Sequence, residues 1–329
     1  MTPLLHSKSV IAGLVTAAAF AILCLVFALW NPPAALIPAV VFLVVFVGIL
    51  KGHRWSAYGG ALFSLALAAA AVAGLARFGA LGRLWANIAL GGLVFCVAAW
   101  LLFRAGRSMP SLASVASRVI WIALAVVVFL SPQLMHAYVI SAGSMENTLL
   151  VGDQLLALPL AGAPVRGELV TLSYPVDPNQ IFVKRVVAVG GDRVRIENKQ
   201  LVVNESPVNE PYAIHSTRYV DPFRDNFPSQ PNFPLAASGW EQELKQDTVN
   251  GELVVPSGKF FVLGDNRDNS LDSRYWGFLE AKDLVGKPAM IYFSRVATPS
   301  QMVGGPFAAP PVLLHPSMIR WGRMFKMLE

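Results

Sequence analysis

The chain changes pattern near its middle. Up to residue 138 it is a succession of apolar runs, at 9–30, 34–50, 57–76, 85–103 and 118–138, separated by short segments that carry basic residues. About 20 apolar residues in a helix cross the roughly 30 Å of a bilayer's hydrocarbon core, and only structures that satisfy their own backbone hydrogen bonds are stable there. The runs predict a membrane region of about five transmembrane helices over 1–138, the second short and carrying Pro38. The first run is too long for a cleaved leader and is read as a retained span. From 139 onward the pattern becomes short β-branched runs between turn residues: 168–174, 180–189, 193–197, 200–203, 259–263 and 289–294. Gly190-Gly191-Asp192, Asn204 and Pro256-Ser257-Gly258 punctuate them. This predicts a mostly β domain over 139–304. A segment rich in Pro, Asn and aromatics, 206–250, is expected to be an ordered surface insertion. The cationic, aromatic tail at 305–329 is expected to lie on a membrane or to dock on the domain.

Charge sharpens the division. All 20 acidic residues lie at or after Glu146, so 1–145 hold eight Lys/Arg and no counter-charge. The overall +6 therefore belongs to the apolar half, and nucleic-acid binding is not implied. With the N-terminus inside, Lys8, Lys51, Arg54, Arg104, Arg107 and Arg118 are cytoplasmic and only Arg77 and Arg83 lie outside. The excess of positive charge favours that orientation. Five spans then deliver the β domain to the outer face. Cys24 and Cys96 sit within apolar runs and lack the spacing of a metal site.

Three stretches of the β half carry candidate chemistry. Ser144 follows Gly143 in Ile-Ser-Ala-Gly-Ser-Met-Glu-Asn-Thr-Leu-Leu (140–150); by itself it reads as a turn serine. Lys184 stands in a strand pattern among Phe182, Val183, Val186 and Val187; by itself it reads as a solvent-facing lysine. Buried, it would lose its charge readily and become a usable base near neutral pH, which a serine hydroxyl needs before it attacks. The third stretch, Gly-Asp-Asn-Arg-Asp-Asn-Ser-Leu-Asp-Ser-Arg-Tyr-Trp-Gly-Phe (264–278), is polar, yet Tyr275, Trp276 and Phe278 suggest that it is packed down. His136, at the end of the fifth run, His215 in the insertion and His315 in the tail are poorly placed for a Ser-His-Asp triad. No His/Cys/Glu grouping has metal spacing, so neither metal nor cofactor is expected.

Together these stretches resemble the signature boxes of bacterial type I signal peptidases, the Ser/Lys leader peptidases. The similarity covers about 135–296, and is nearly unbroken over the fourteen residues from Gly264. It implies the family's β-rich catalytic core, with Ser144 as nucleophile and Lys184 as general base. Ser270 would hold the lysine amine, Gly264 would leave room for its side chain, and Asp265–Arg185 and Asp272–Arg274 would be structural ion pairs. Ile140, Met145, Phe182 and Val183 would line shallow pockets for small substrate side chains. The implied substrates are signal-peptide-bearing precursors, cleaved after small residues at the outer (periplasmic) side of the cytoplasmic membrane. Membrane lipid and a nearby export translocon would be the surroundings.

The chain departs from the family pattern in three places. Five spans exceed the usual one or two. Ala142 stands where a serine commonly helps to bind the oxyanion, and Asn147 replaces the usual proline. A signal-peptidase-like assembly or chaperone protein with impaired catalysis is the alternative; intact Ser144, Lys184 and Ser270 speak against it. A soluble self-cleaving repressor would lack the spans, and a channel would want polar groups inside them.

Overall fold

The computed structural model describes residues 7–28, 32–51, 53–78, 96–108, 136–231, 233–303 and 310–328. They fall into two compact units, 1–134 with 310–316, and 135–309 with 317–329.

In the first unit the apolar runs form helices α1 (Lys8–Ala28), α2 (Pro32–Leu50) and α3 (Arg54–Phe78), with a further helix, α4, over 96–107. Their inner faces share a cluster that includes Val10, Phe42, Val45, Ile49, Leu102 and Ala105. Small residues let the helices approach closely: a Cβ on Gly13 would lie 2.5 Å from the Ala105 Cβ. The outer faces are apolar too, with Val15, Ile22, Val44, Leu65 and Trp100 exposed. Among the described residues one 18-residue window, Lys8–Leu25, is long and apolar enough to cross a membrane, with a mean hydropathy of 2.1. Of the five predicted spans, 9–30, 34–50 and 57–76 fall largely on α1 to α3, and 85–103 is described only from 96. The last, 118–138, lies outside the described residues except for its end, where the expectation fails. There, His136–Val139 is a strand, because its backbone pairs with the next strand rather than with itself.

The second unit is built on two antiparallel sheets. The larger, in the order β1-β2-β12-β3-β4-β10-β11, comprises β1 (His136–Val139), β2 (Asp153–Leu158), β3 (Leu169–Tyr174), β4 (Asp177–Val189), β10 (Lys259–Leu263), β11 (Leu279–Glu280) and β12 (Leu284–Ser294), with β13 (Lys326–Met327) paired to β12. The smaller runs β7-β6-β5-β9-β8, from β5 (Arg193–Glu197), β6 (Gln200–Val203), β7 (Ser206–Pro207), β8 (Thr248–Val249) and β9 (Glu252–Val254). The predicted strands at 193–197, 200–203 and 259–263 coincide with β5, β6 and β10. β4 and β12 are longer than their apolar runs, because ladder hydrogen bonds continue into polar residues.

The segment 206–250 is not merely a surface insertion. It supplies β7, β8 and α5 (Trp240–Asp247), and it buries Phe223, Phe227, Trp240 and Leu244 against β5, β9 and β10. Aromatic side chains of that size bury enough area to make the segment part of the core. Nor is 305–329 one tail. Its last part, 317–328, runs back along β12, where Val296 N–H donates to Met318 O (2.7 Å), Arg320 N–H to Ser294 O (3.0 Å) and Leu328 N–H to Ala289 O (2.9 Å).

Candidate active site

Three elements of the larger sheet meet at the candidate site. β4 presents Lys184. The end of β10 continues into the 264–272 loop, which carries Ser270. The turn between β1 and β2 carries Ser144, the middle residue of a single 3₁₀ turn, Gly143–Met145. Along β4, Phe182 and Lys184 share one face and Val183 and Arg185 the other, as strand alternation requires.

Lys184 is only 2% exposed. Its ammonium lies over the Phe182 ring, 5.4 Å from the centroid, and Phe182 stacks on Tyr174 at 4.7 Å. Lys184 Nζ donates to Ser270 Oγ at 3.0 Å. Burial in this setting pushes the amine down from 10.5 to about 8; Asp272 pulls it up, Arg274 pushes it down, and Asp265 pulls it up less. Desolvation dominates because a buried cation loses hydration that distant carboxylates only partly replace.

Gly264 brings the serine turn against Ser270. A Cβ there would stand 2.2 Å from Ser270 Oγ and 2.5 Å from the backbone oxygen of Ser144. Only a residue without a side chain lets the two segments meet. The turn is also tied to the loop directly. Asn266 N–H donates to Ser144 O (3.1 Å), and its side-chain amide donates to Gly143 O (3.1 Å). Thr148 Oγ donates to Asp265 Oδ2 at 2.5 Å.

Two buried ion pairs frame the site. Arg185 grips Asp265 through Nε (2.9 Å) and Nη2 (2.7 Å), and its guanidinium lies 3.8 Å over Tyr212. Arg274 grips Asp272 with two bonds of 2.8 Å. Burial pushes the Asp272 carboxyl up, but Arg274 and the Gly264 N–H outweigh it and hold it below the usual range. Asp272 also accepts from Arg274 N–H as the N-cap of α6 (Ser273–Trp276). Bidentate pairs of this kind fix geometry as well as charge.

The expected substrate-lining residues divide between two clusters. Ile140, Met145 and Val183 lie in one, with Leu149, Leu155 and Ile291. Phe182 belongs to the other, on the lysine side of β4. Ala142 is exposed and extended. His215 faces Asp268 at 3.5 Å, and burial lowers its pKa. Among the described residues no three His, Cys, Asp or Glu are grouped to hold a metal ion.

Sequence reasoning did not find Asn266, Thr148 or the Glu210–Arg267 pair. Arg267 holds Glu210 through bonds of 2.7 and 2.6 Å while its Nε donates to Gly264 O at 3.1 Å. Ile214 N–H donates to Asp265 O and accepts from Arg267 N–H at its carbonyl. The 206–250 segment thus braces the site through a residue, Glu210, whose sequence context carries no signal.

The site thus gathers a buried lysine amine held by Ser270 and a tight turn bearing Ser144 that meets the Ser270 loop at Gly264, an arrangement of the kind hydrolases use. The family model described as signal peptidase, peptidase S26, matches residues 113–293. Signal peptidase I of Aquifex aeolicus is 32% identical over 51% of this chain and 79% of its own length. That of Pseudomonas fluorescens is 31% identical over 52% and 69%. A crystal structure of a signal peptidase I from Enterococcus faecalis matches 38% of this chain and 97% of its own at 25% identity, with a TM-score of 0.26, too low to bear on the fold. The chain belongs to the peptidase S26 family and is a type I signal peptidase, a serine endopeptidase.

Proposed function

We propose that this chain is an integral membrane protein that removes signal peptides from exported precursors at the outer face of the cytoplasmic membrane, with Ser144 as nucleophile and Lys184 as general base. One observation carries the reading: a buried lysine amine is held by Ser270, and Ser270 and the turn that bears Ser144 meet at Gly264; burial lowers the pKa of that amine to about 8. At such a pKa a useful fraction of the amine is neutral and can accept the Ser144 hydroxyl proton. The hydroxyl oxygen then attacks the scissile carbonyl. Ser144 N–H lies at the start of a 3₁₀ turn, where amide hydrogens have no partner within the helix, so it is available to the developing oxyanion. Collapse expels the mature protein's amine with the proton from Lys184 and leaves the signal peptide as an ester on Ser144. Water, deprotonated by Lys184, releases it.

Ile140, Met145 and Val183 pack into their own core, with Phe182 on the other face of β4, and the reading has them line shallow pockets that admit only small substrate residues before the cleavage point. β1 stands at the end of the sheet order and leads through Ile140 to Ser144, so an extended peptide pairing alongside would be delivered in register. Apolar outer faces on α1, α2 and α4 support anchoring by several spans in lipid. The six-to-two distribution of Lys and Arg supports an N-terminus inside and the 139–304 domain outside, the side on which exported precursors emerge from the translocon.

Cleavage of a purified signal-peptide-bearing precursor by the detergent-solubilised chain tests the reading. Ser144→Ala and Lys184→Ala should each abolish it with the fold intact. Activity retained in either variant refutes the dyad.

A further inference from the structure

Residues 317–328 lie beyond the span that the family model matches, yet they reach the turn that carries Ser144. Asp153, the first residue of β2, has a wholly buried carboxylate. It accepts from Leu150 N–H at 2.8 Å and from the Ser294 hydroxyl at 2.6 Å. Arg323 closes on it from the other side, with Nη2 at 2.6 Å from Oδ2 and Nε at 3.2 Å from Oδ1. The same Nη2 donates to the carbonyl oxygen of Thr148 at 2.8 Å. Arg320 donates to Val151 O at 3.0 Å and stands 3.6 Å from Asp153.

We propose that Arg323, seconded by Arg320, is a positioning residue for catalysis: it clamps the exit of the nucleophile turn, residues 148–153, to the end of the chain. The proposal rests on the reading of Ser144 as nucleophile. The segment that carries the arginines is itself anchored, since β13 pairs with Met290 and Ile291 and Leu328 is buried in the same cluster as Met145 and Leu149. Thr148 links the clamp onward. Its carbonyl takes Arg323 while its hydroxyl donates to Asp265, which Arg185 grips next to Lys184 in β4. One residue of the turn is therefore held from the side of the base and from the side of the tail. A planar guanidinium makes both bonds at once; an ammonium is a point charge and does not reproduce the fork. Serine attack depends on placing the oxygen to well under 1 Å, so slack in the turn is read in the rate of acylation and not in substrate affinity.

The test uses the full chain in detergent micelles with a synthetic signal-peptide-bearing precursor. Truncating Arg323 alone would strand a buried carboxylate, so Arg323→Ala is combined with Asp153→Asn, which removes the charge, keeps one acceptor oxygen for Leu150 N–H and turns an amide donor toward the Ser294 hydroxyl, which can accept. The expected result is a fall in kcat of about tenfold to a hundredfold, with KM near that of the parent. The acylation burst should slow in parallel, and the acid limb of the pH profile should stay in place because the surroundings of Lys184 are untouched. Arg323→Lys, which keeps the charge opposite Asp153 and loses the fork, should fall severalfold and decides the question if the double variant does not fold. A kcat within twofold of the parent, or a loss that only tracks the folded fraction, overturns the proposal. Ser144→Ala runs alongside: if it still cleaves, the nucleophile reading fails; if it is inactive while the clamp variants match the parent, only the clamp fails.

Discussion

With Lys184 as the proposed general base, its burial should set the pH at which this enzyme works. Its amine falls from 10.5 to about 8, a preference of about 3 kcal/mol for the neutral form. About a tenth of the molecules then hold a neutral base at pH 7 and about nine-tenths at pH 9, so kcat/KM should rise about tenfold between them and level off. A lysine left in water would still be gaining about tenfold per pH unit at pH 9. Stability carries the same signature. The unfolded chain holds the extra proton between about pH 8 and 10.5, so the contribution of this site to stability rises with pH across that window. Lys184→Met removes the cost of the buried charge, about 3 kcal/mol at pH 7, and loses a hydrogen bond to Ser270 worth about 1. The variant should be inactive yet about 2 kcal/mol more stable at pH 7, with the gain fading by pH 10. Initial rates on a precursor peptide from pH 6 to 11, with denaturant melts of parent and variant at both ends, measure both effects. A kcat/KM flat from pH 7 to 9, or still climbing tenfold per unit beyond pH 10, refutes the reasoning. So does a Met variant that is less stable at neutral pH.

Other positions give independent checks. Gly264→Ala drives a methyl group into Ser270 Oγ and the Ser144 carbonyl, and should cost at least about a hundredfold in kcat; a parent-like rate would show that the two segments do not meet there. Asp265→Asn leaves the buried Arg185 without its charge partner and should destabilise the β domain by about 3–5 kcal/mol in a denaturant melt. Ala142→Ser offers the oxyanion a hydroxyl and should raise kcat about tenfold with little change in KM; no gain would mean that the site is complete without it. Protease added outside intact spheroplasts should digest the domain from about residue 139 and spare the loop holding Lys51 and Arg54. The opposite pattern overturns the proposed topology.

Local pattern was enough wherever a local force governs. The apolar runs marked the helices α1 to α3 to within a few residues, since a long unbroken apolar run leaves few alternatives to a helix. The β-branched and aromatic runs located β5, β6 and β10: β5 buries alternate residues, β6 and β10 are buried almost throughout, and each is bounded by Gly, Asn or Pro. The 264–278 stretch, with Ser144 and Lys184, identified the family, since those residue types are improbable together by chance. Two short strands escaped: β1 holds a histidine and β2 begins with Asp153 and Gln154, and both exist through backbone pairing with partners the sequence does not disclose.

What only the tertiary structure decided is the environment of each charge. The sequence shows Lys184 among valines; that it is buried, held by Ser270 and set over Phe182, with its pKa lowered to about 8 by desolvation, follows only from the fold. It shows Glu210, Asp153 and Arg323 as ordinary polar residues far from any motif. Folding brings Glu210 to Arg267 and Arg323 to Asp153, across 57 and 170 residues of chain respectively. Pairings at such separations leave no local trace, because either partner would look the same in any loop. Hydropathy is a property of a segment, whereas desolvation and ion pairing are properties of what surrounds it.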